Sequence, residues 1–164
     1  MRPQFSNPPA GYAFVDTISE EEAFLFLRDL YEQQDESSRL GGSWTRSLVN
    51  SELKNGLALG LRDGLGYLRA LVLFRIQPEI VEITILGTAL AHRRKGLMRS
   101  LLGELQGLAE HQRAEILLEL HSENFQAYEF YCSLGFCDSG VRKSYYSDGK
   151  DALLMKWSAS VSRK

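Results

Sequence analysis

In the stretch His92-Arg-Arg-Lys-Gly-Leu-Met-Arg-Ser-Leu-Leu102, the cations Arg93, Arg94, Lys95 and Arg99 crowd around Gly96 where an apolar helical pattern begins. A helix start carries unpaired backbone N–H groups and a partial positive charge, so a glycine corner feeding a helix is a natural seat for phosphate. A basic loop that only meets water would have the same composition. The GxxxxGK[ST] spacing of nucleoside-triphosphate loops is absent, as is the GxGxxG of dinucleotide folds. Further along, two side chains could move protons. Glu119 stands between apolar Leu118 and Leu120, so on a strand it projects to the opposite face with Leu117 and His121. Tyr131 follows at helical spacing with Phe125 and Tyr128, a pattern that also describes an ordinary core aromatic.

Other chemistries find little support. Cys132 and Cys137 lack CxxC spacing, and His92, His111 and His121 form no HxxxH pair, so neither a disulfide framework nor a metal is expected. Both cysteines should be reduced and at least partly buried. Cys132 beside Tyr131 invites a covalent reading, but no histidine stands near it in sequence to activate the thiol. With 21 acidic against 19 basic residues, the chain has no excess of cations with which to neutralise a nucleic-acid backbone. The N-terminus has no signal-peptide core and no apolar run is long enough to span a bilayer, so a cytoplasmic protein without membrane contact is expected.

The elements that would position these residues read in order. At 164 residues and 44% hydrophobic content the chain should fill one core and form a single domain over 1–164, with a lead over 1–17 and a flexible tail over 158–164. Ala23, Phe24, Leu27, Leu30 and Tyr31 mark a helix within 18–34, begun by Ser19 as cap with Glu22 reaching back. A polar connection over 34–43 leads to a second helix capped by Thr45, with Leu48, Val49 and Leu53 on one side. An antiparallel meander follows. Leu57, Leu59 and Leu61 alternate, then Leu68, Ala70, Val72, Phe74 and Ile76 share a face, then Val81, Ile83 and Ile85 line a third strand. The helix after Gly96 carries Leu97, Leu101, Leu102, Leu105 and Ala109, and its Gly103 and Gly107 suggest close packing on the sheet. A strand over 115–121, a helix over 124–134 stopped by Gly135, and a hairpin of 136–146 with 151–157 complete the chain. The strand from Glu115 should run parallel to the one ending near Thr88, through a right-handed crossover.

At this point the motifs acquire a resemblance. Arg93-Arg-Lys-Gly96-Leu-Met98 resembles the (Gln/Arg)-x-x-Gly-x-(Gly/Ala) signature of the GNAT N-acetyltransferases. Leu118-Glu-Leu-His-Ser-Glu-Asn124 with Ala127, then Phe130-Tyr-Cys-Ser-Leu-Gly-Phe136, is similar to the LEVRxSN…A…LYxxLGF run of the RimI-type branch, the ribosomal-protein N-terminal alanine acetyltransferases. Gly140-Val-Arg-Lys-Ser-Tyr-Tyr146 and Asp151-Ala-Leu-Leu-Met155 resemble that branch's VRKxYY and EDAxxM, and Trp44-Thr its PWS segment. Met98 stands where the family has a small residue, Leu90 where it has proline, and Ser43 where proline precedes the tryptophan. Residues 1–43 match weakly.

The resemblance implies an α/β fold of GNAT type, a mixed and mostly antiparallel sheet with one parallel strand pair flanked by helices. It implies acetyl-coenzyme A as the cofactor, no metal, and direct transfer to an amine through a tetrahedral intermediate. Glu119 would be the base and Tyr131 the acid protonating the departing thiolate, with Glu82 and Glu123 as weaker alternatives for base or amine binding. The cofactor would lie against Leu86, Gly87 and Thr88, the corner Arg93, Arg94, Lys95, Gly96, Leu97, Met98 and Arg99, and Asn124, which also suits a helix cap. Gly87 reads as a strand-bulge glycine. The acceptor implied is a protein N-terminus, such as that of a ribosomal protein, with a lysine side chain, a small amine, or a non-catalytic acyl-coenzyme A sensor as the alternatives. Monomer and homodimer both remain open.

Overall fold

The computed structural model describes residues 5–33 and 45–159; Trp44 and the connection over 34–43 lie outside them. Seven strands and four α-helices occur among the described residues: β1 Tyr12–Val15, α1 Glu20–Glu32, α2 Arg46–Asn55, β2 Leu57–Asp63, β3 Leu68–Gln77, β4 Ile80–Thr88, α3 Leu97–Gln112, β5 Glu115–His121, α4 Phe125–Cys132, β6 Cys137–Arg142 and β7 Ala152–Trp157. The sheet order is β1-β2-β3-β4-β5-β7-β6, and its one parallel pair is β4 with β5. No described helix is long and apolar enough to cross a membrane.

The extra strand is β1, inside what reads as a Pro-rich lead. Four residues are too short to display a period, yet Tyr12↔Asp63 through Val15↔Gly60 pair it to β2, and the Phe5 and Phe14 rings lie 5.3 Å apart. At α1 the Ser19 Oγ accepts the Glu22 N–H at 3.2 Å, but the Glu22 carboxylate does not return to the helix start. Arg62 holds it instead, at 2.7 Å in one of two contacts, because a guanidinium is a stronger donor than a backbone amide. Thr45 caps α2 as the spacing predicts, accepting the Leu48 N–H at 3.2 Å. Val49 is buried, whereas Leu48 is exposed.

The sheet is covered on both faces. Ala70, Val72, Phe74, Val81 and Ile83 pack with α3, while Leu71, Leu73 and Ile85 pack with α1 and α2. Val81, Ile83 and Ile85 therefore do not share a face. Leu73 pairs with Ile85 and Phe74 with Ile83, so Thr84 is an unpaired extra residue that reverses the alternation after it. Leu68 joins the α1 side and Ile76 is exposed, so the expected face of β3 holds only in its middle.

Gly103 and Gly107 do not mark a close approach. Both are exposed, and a Cβ at either would meet nothing within 4 Å. The cysteines are free but exposed rather than partly buried, Cys132 in the last turn of α4 and Cys137 on β6, whose residues are all exposed. The final hairpin is shorter than its alternation suggests. Asp151 accepts from Lys143 Nζ at 2.7 Å and from the Ser144 N–H at 2.9 Å, and Ser144 turns to φ +49°, so the chain leaves β6 after Arg142 and puts Tyr145 and Tyr146 in a loop.

Candidate active site

A parallel pair must diverge somewhere if the sheet is to admit a ligand between its strands, and here the break comes early. β4 and β5 pair only from Ile80↔Glu115 to Glu82↔Leu117, and the Thr84 bulge follows at once. Beyond it the β5-facing backbone of β4 has no strand partner among the described residues, while Leu86, Gly87 and Thr88 still pair with β3 on their other side. Buried N–H and C=O groups left in this way seek a partner, and an extended amide chain is the ligand that supplies one. The gap belongs to a cavity of about 1990 Å³ running from the corner before α3 to the α1 and α2 face. That exceeds the few hundred to about 1,000 Å³ of a single small-ligand pocket and leaves room for two substrates.

The bulge lies at Thr84 and not at Gly87. A Cβ on Gly87 would stand 2.4 Å from Leu30 Cδ2, so a side chain there would displace the tip of that α1 leucine.

At the corner, a 3₁₀ turn over Leu90–His92 forms without the family's proline, through His92 N–H to Ala89 O at 2.8 Å and Arg93 N–H to Leu90 O at 3.2 Å. Arg94 and Gly96 then take left-handed φ values of +60° and +79°, and α3 starts with no side-chain cap. The first-turn N–H groups of Leu97, Met98 and Arg99 have no intrahelical acceptor and could hold an anion. Arg93, Arg94 and Arg99 line the cavity, with Arg93 Nε donating to Thr88 O at 3.4 Å and Arg99 to Ser133 Oγ at 3.0 Å. Lys95 is exposed and outside the lining. Met98 packs against the α3-side core, so its bulk has a place while its N–H stays at the helix start. Tyr12 of β1 supports the corner from behind, its hydroxyl 2.8 Å from His92 Nδ1. Partial burial, then the Arg69 and Lys95 charges, hold the His92 imidazole below its ordinary pKa.

Glu119 and Tyr131, the candidates for proton transfer, both line the cleft. Glu119 faces the cleft from β5, and its Oε1 pairs with Arg142 at 2.9 Å. Tyr131 on α4 is only 5% exposed, packed against Phe130 and Phe136 with centroids 5.6 and 5.8 Å away. The core reading of Tyr131 holds for its ring, which also lines the cavity. Burial, with a smaller contribution from Tyr146, raises its phenol well above the usual range, which keeps it a proton donor. Asn124 caps α4 by accepting the Ala127 N–H at 3.2 Å and also lines the cavity. Glu82 lies in the paired part of β4 and lines the α1 and α2 side, whereas exposed Glu123 is tied to Lys150.

The sequence alone assigns no role to His121 or Asp148, while Arg142 and Tyr146 stand in the VRKxYY-like motif, whose tyrosine pair bears on the choice of acceptor. His121 is 3% exposed, with Asp148 Oδ2 2.9 Å from Nε2, and the Tyr146 ring lies 4.8 Å from the imidazole. Tyr146 is pushed up to about 12 by burial and, next, by the Glu119 charge. Only the Arg and the Tyr pair of the VRKSYY stretch offered a sequence signal for this cluster.

Known proteins share this fold. The chain is 32% identical to the N-alpha-acetyltransferase RimI of Mycobacterium tuberculosis over 150 residues, 88% of this chain and 86% of that protein. The fold superposes on the ribosomal-protein-S18-alanine N-acetyltransferase of Escherichia coli with a TM-score of 0.75 at 20% identity, covering 90% and 93% of the two chains. Arabidopsis thaliana Naa50, solved with the bisubstrate analogue CoA-Ac-MVNAL, gives 0.72 at 16% identity over 91% and 99%. Residues 16–136 match the acetyltransferase (GNAT) family, and with the relative just described this makes the chain a member of that family and an acetyltransferase enzyme.

Proposed function

We propose that the chain transfers the acetyl group of acetyl-coenzyme A to the N-terminal α-amino group of a protein, with an alanine-initiated ribosomal protein as the leading acceptor. The observation carrying this reading is the single cleft that joins the phosphate corner to Glu119 and Tyr131. Pyrophosphate suits the N–H groups at the start of α3, and the amides of pantetheine suit the β5-facing backbone of Leu86, Gly87 and Thr88. Acetyl-coenzyme A, when bound, supplies an acyl group activated as a thioester.

The chain's own residues then handle two protons. Glu119, with Oε1 on Arg142, takes a proton from the acceptor ammonium through water by its other oxygen. The neutral amine would then add to the thioester carbonyl, the C–S bond would break as the tetrahedral adduct collapses, and the second N–H proton would pass to water, which also reprotonates the acid. Tyr131 donates its proton to the departing sulfur, an acid that burial has kept protonated. An α-amino group, with a pKa of about 7.7–8.0 against about 10.4 for lysine, gives up its proton far more readily to a carboxylate. That difference favours the N-terminal acceptor over a lysine side chain.

A peptide library with varied first residues, incubated with acetyl-coenzyme A and read by mass spectrometry, tests the reading. Products at the α-amine of Ala- or Ser-initiated peptides are expected. Acetylation confined to lysine or to small amines would overturn the acceptor, and cofactor binding without any product would overturn the catalytic role.

A further inference from the structure

His121 ends β5 as the third residue of a line that Leu117 and Glu119 begin, yet unlike them it is sealed from solvent and makes two directional bonds. The Glu123 N–H donates to its Nδ1 at 3.1 Å, so Nδ1 is the bare nitrogen and Nε2 carries the hydrogen. That hydrogen goes to Asp148 Oδ2 at 2.9 Å, in the loop over 143–151 that joins β6 to β7. Asp148 is itself part of the turn that carries Tyr146. Its Oδ1 accepts the Lys150 N–H at 3.0 Å, the Tyr146 N–H bonds Lys150 O at 3.0 Å, and the Gly149 N–H bonds Tyr146 O at 2.9 Å. The Tyr146 ring lies against the imidazole at 36°, with Tyr145 edge-on to it at 5.2 Å.

We propose that His121 and Asp148 are positioning residues, whose hydrogen bond fixes the 143–151 loop across Glu119 and so forms the wall against which the acceptor amine is held. The wall assignment rests on the acceptor reading above, because it takes the Glu119 side of the cleft as the acceptor side. Two other contacts tie the loop to the end of β5. The Ser122 N–H donates to Asp151 O at 3.0 Å, beyond the Tyr146 turn, and the Lys150–Glu123 pair is about half exposed on both sides, where such pairs contribute little. The imidazole is thus the buried contact to the Tyr146 turn, the Lys150–Glu123 pair being the exposed one. It orients the loop through Tyr146 and has no place in the proton path itself.

Two replacements of His121 separate its two bonds. His121→Gln puts an amide N–H donor near the Nε2 position and keeps a partner for Asp148, whereas His121→Asn puts an acceptor near Nδ1 and keeps only the Glu123 bond. His121→Asn and Asp148→Ala should raise the acceptor KM by about tenfold, the effect of a lost hydrogen bond to a charged group, with cofactor Kd by calorimetry unchanged. His121→Gln should recover the acceptor KM to within about twofold of the parent value. Amide hydrogen exchange over 144–149 should quicken in the first two variants and stay near the parent rate in the third. An unchanged KM in Asp148→Ala, or equal behaviour of the Asn and Gln variants, would overturn the positioning role. A weakened cofactor Kd in Asp148→Ala would also overturn it, since that reports general damage. The exchange arm needs no acceptor, so a protein lacking N-terminal activity would sink the acceptor reading while the latch was still decided.

Discussion

At the α3 end of the cleft the groups that meet a ligand are mostly backbone: the β5-facing edge of β4 and the N–H groups from Leu97 to Arg99, set by left-handed Arg94 and Gly96. At the β5 end they are side chains, Glu119, Arg142, His121 and Tyr146, each held by another side chain. A backbone donor survives a change of side chain so long as the local φ and ψ survive, so the first end tolerates Met98 and Leu90 where the family has other residues. The second end has no such tolerance. Changing one partner there leaves another group unpaired, and under the proposed function the cost should fall on chemistry rather than on cofactor affinity.

The largest expected effect lies at the side-chain end. Glu119→Gln removes the base while keeping the shape, and kcat should fall by about 10²-fold or more, most severely at low pH where more of the acceptor is ammonium. Calorimetry should find cofactor affinity nearly unchanged. A weakened cofactor Kd with kcat intact would reverse the division of labour between the two ends.

A smaller loss, about tenfold or more in kcat, is expected from Tyr131→Phe, because the ring packing against Phe130 and Phe136 is kept and only the proton is lost. The pH profile sharpens this. A phenol raised above its ordinary value stays protonated as pH rises through that value, so Tyr131 should impose no alkaline fall in kcat below about pH 10. Full activity in the Phe variant would remove Tyr131 from the chemistry.

The smallest effects belong to the backbone end, where conformation and bulk can be told apart. Gly96→Ala forces a Cβ into a left-handed residue at a cost of about 1–2 kcal/mol, which should weaken cofactor Kd several-fold with kcat little changed. Met98→Ala alters bulk while keeping the N–H, and should change Kd by less than about threefold. A Met98 effect larger than the Gly96 effect would mean that the side chain, rather than the backbone, sets the anion site.

Much of this was legible beforehand because it is periodic. The helical spacing of Leu97, Leu101, Leu105 and Ala109 and the alternation around Leu118 and Leu120 fix α3 and β5, and hence the faces of the corner and of Glu119. The motif order supplied the chemistry. The Thr84 bulge left no trace, because one inserted residue breaks the alternation only in three dimensions and leaves Val81, Ile83 and Ile85 looking like one face. β1 was too short to show a period. Gly103, Gly107 and Gly87 show that composition gives no reason for a glycine: the first two face open space, and the third lies against a leucine tip from a helix distant in sequence. His121 with Asp148 was invisible because the two residues are joined only by the fold of the loop over 143–151.

The most direct test of the central claim pairs two peptides of one sequence under saturating acetyl-coenzyme A. One has a free N-terminal alanine and no lysine, and the other has a blocked N-terminus and a single lysine. Initial rates measured across pH 6–9 should favour the free N-terminus throughout. A rate on the lysine peptide equal to or above that on the free N-terminus would contradict the assignment of this cleft to α-amines.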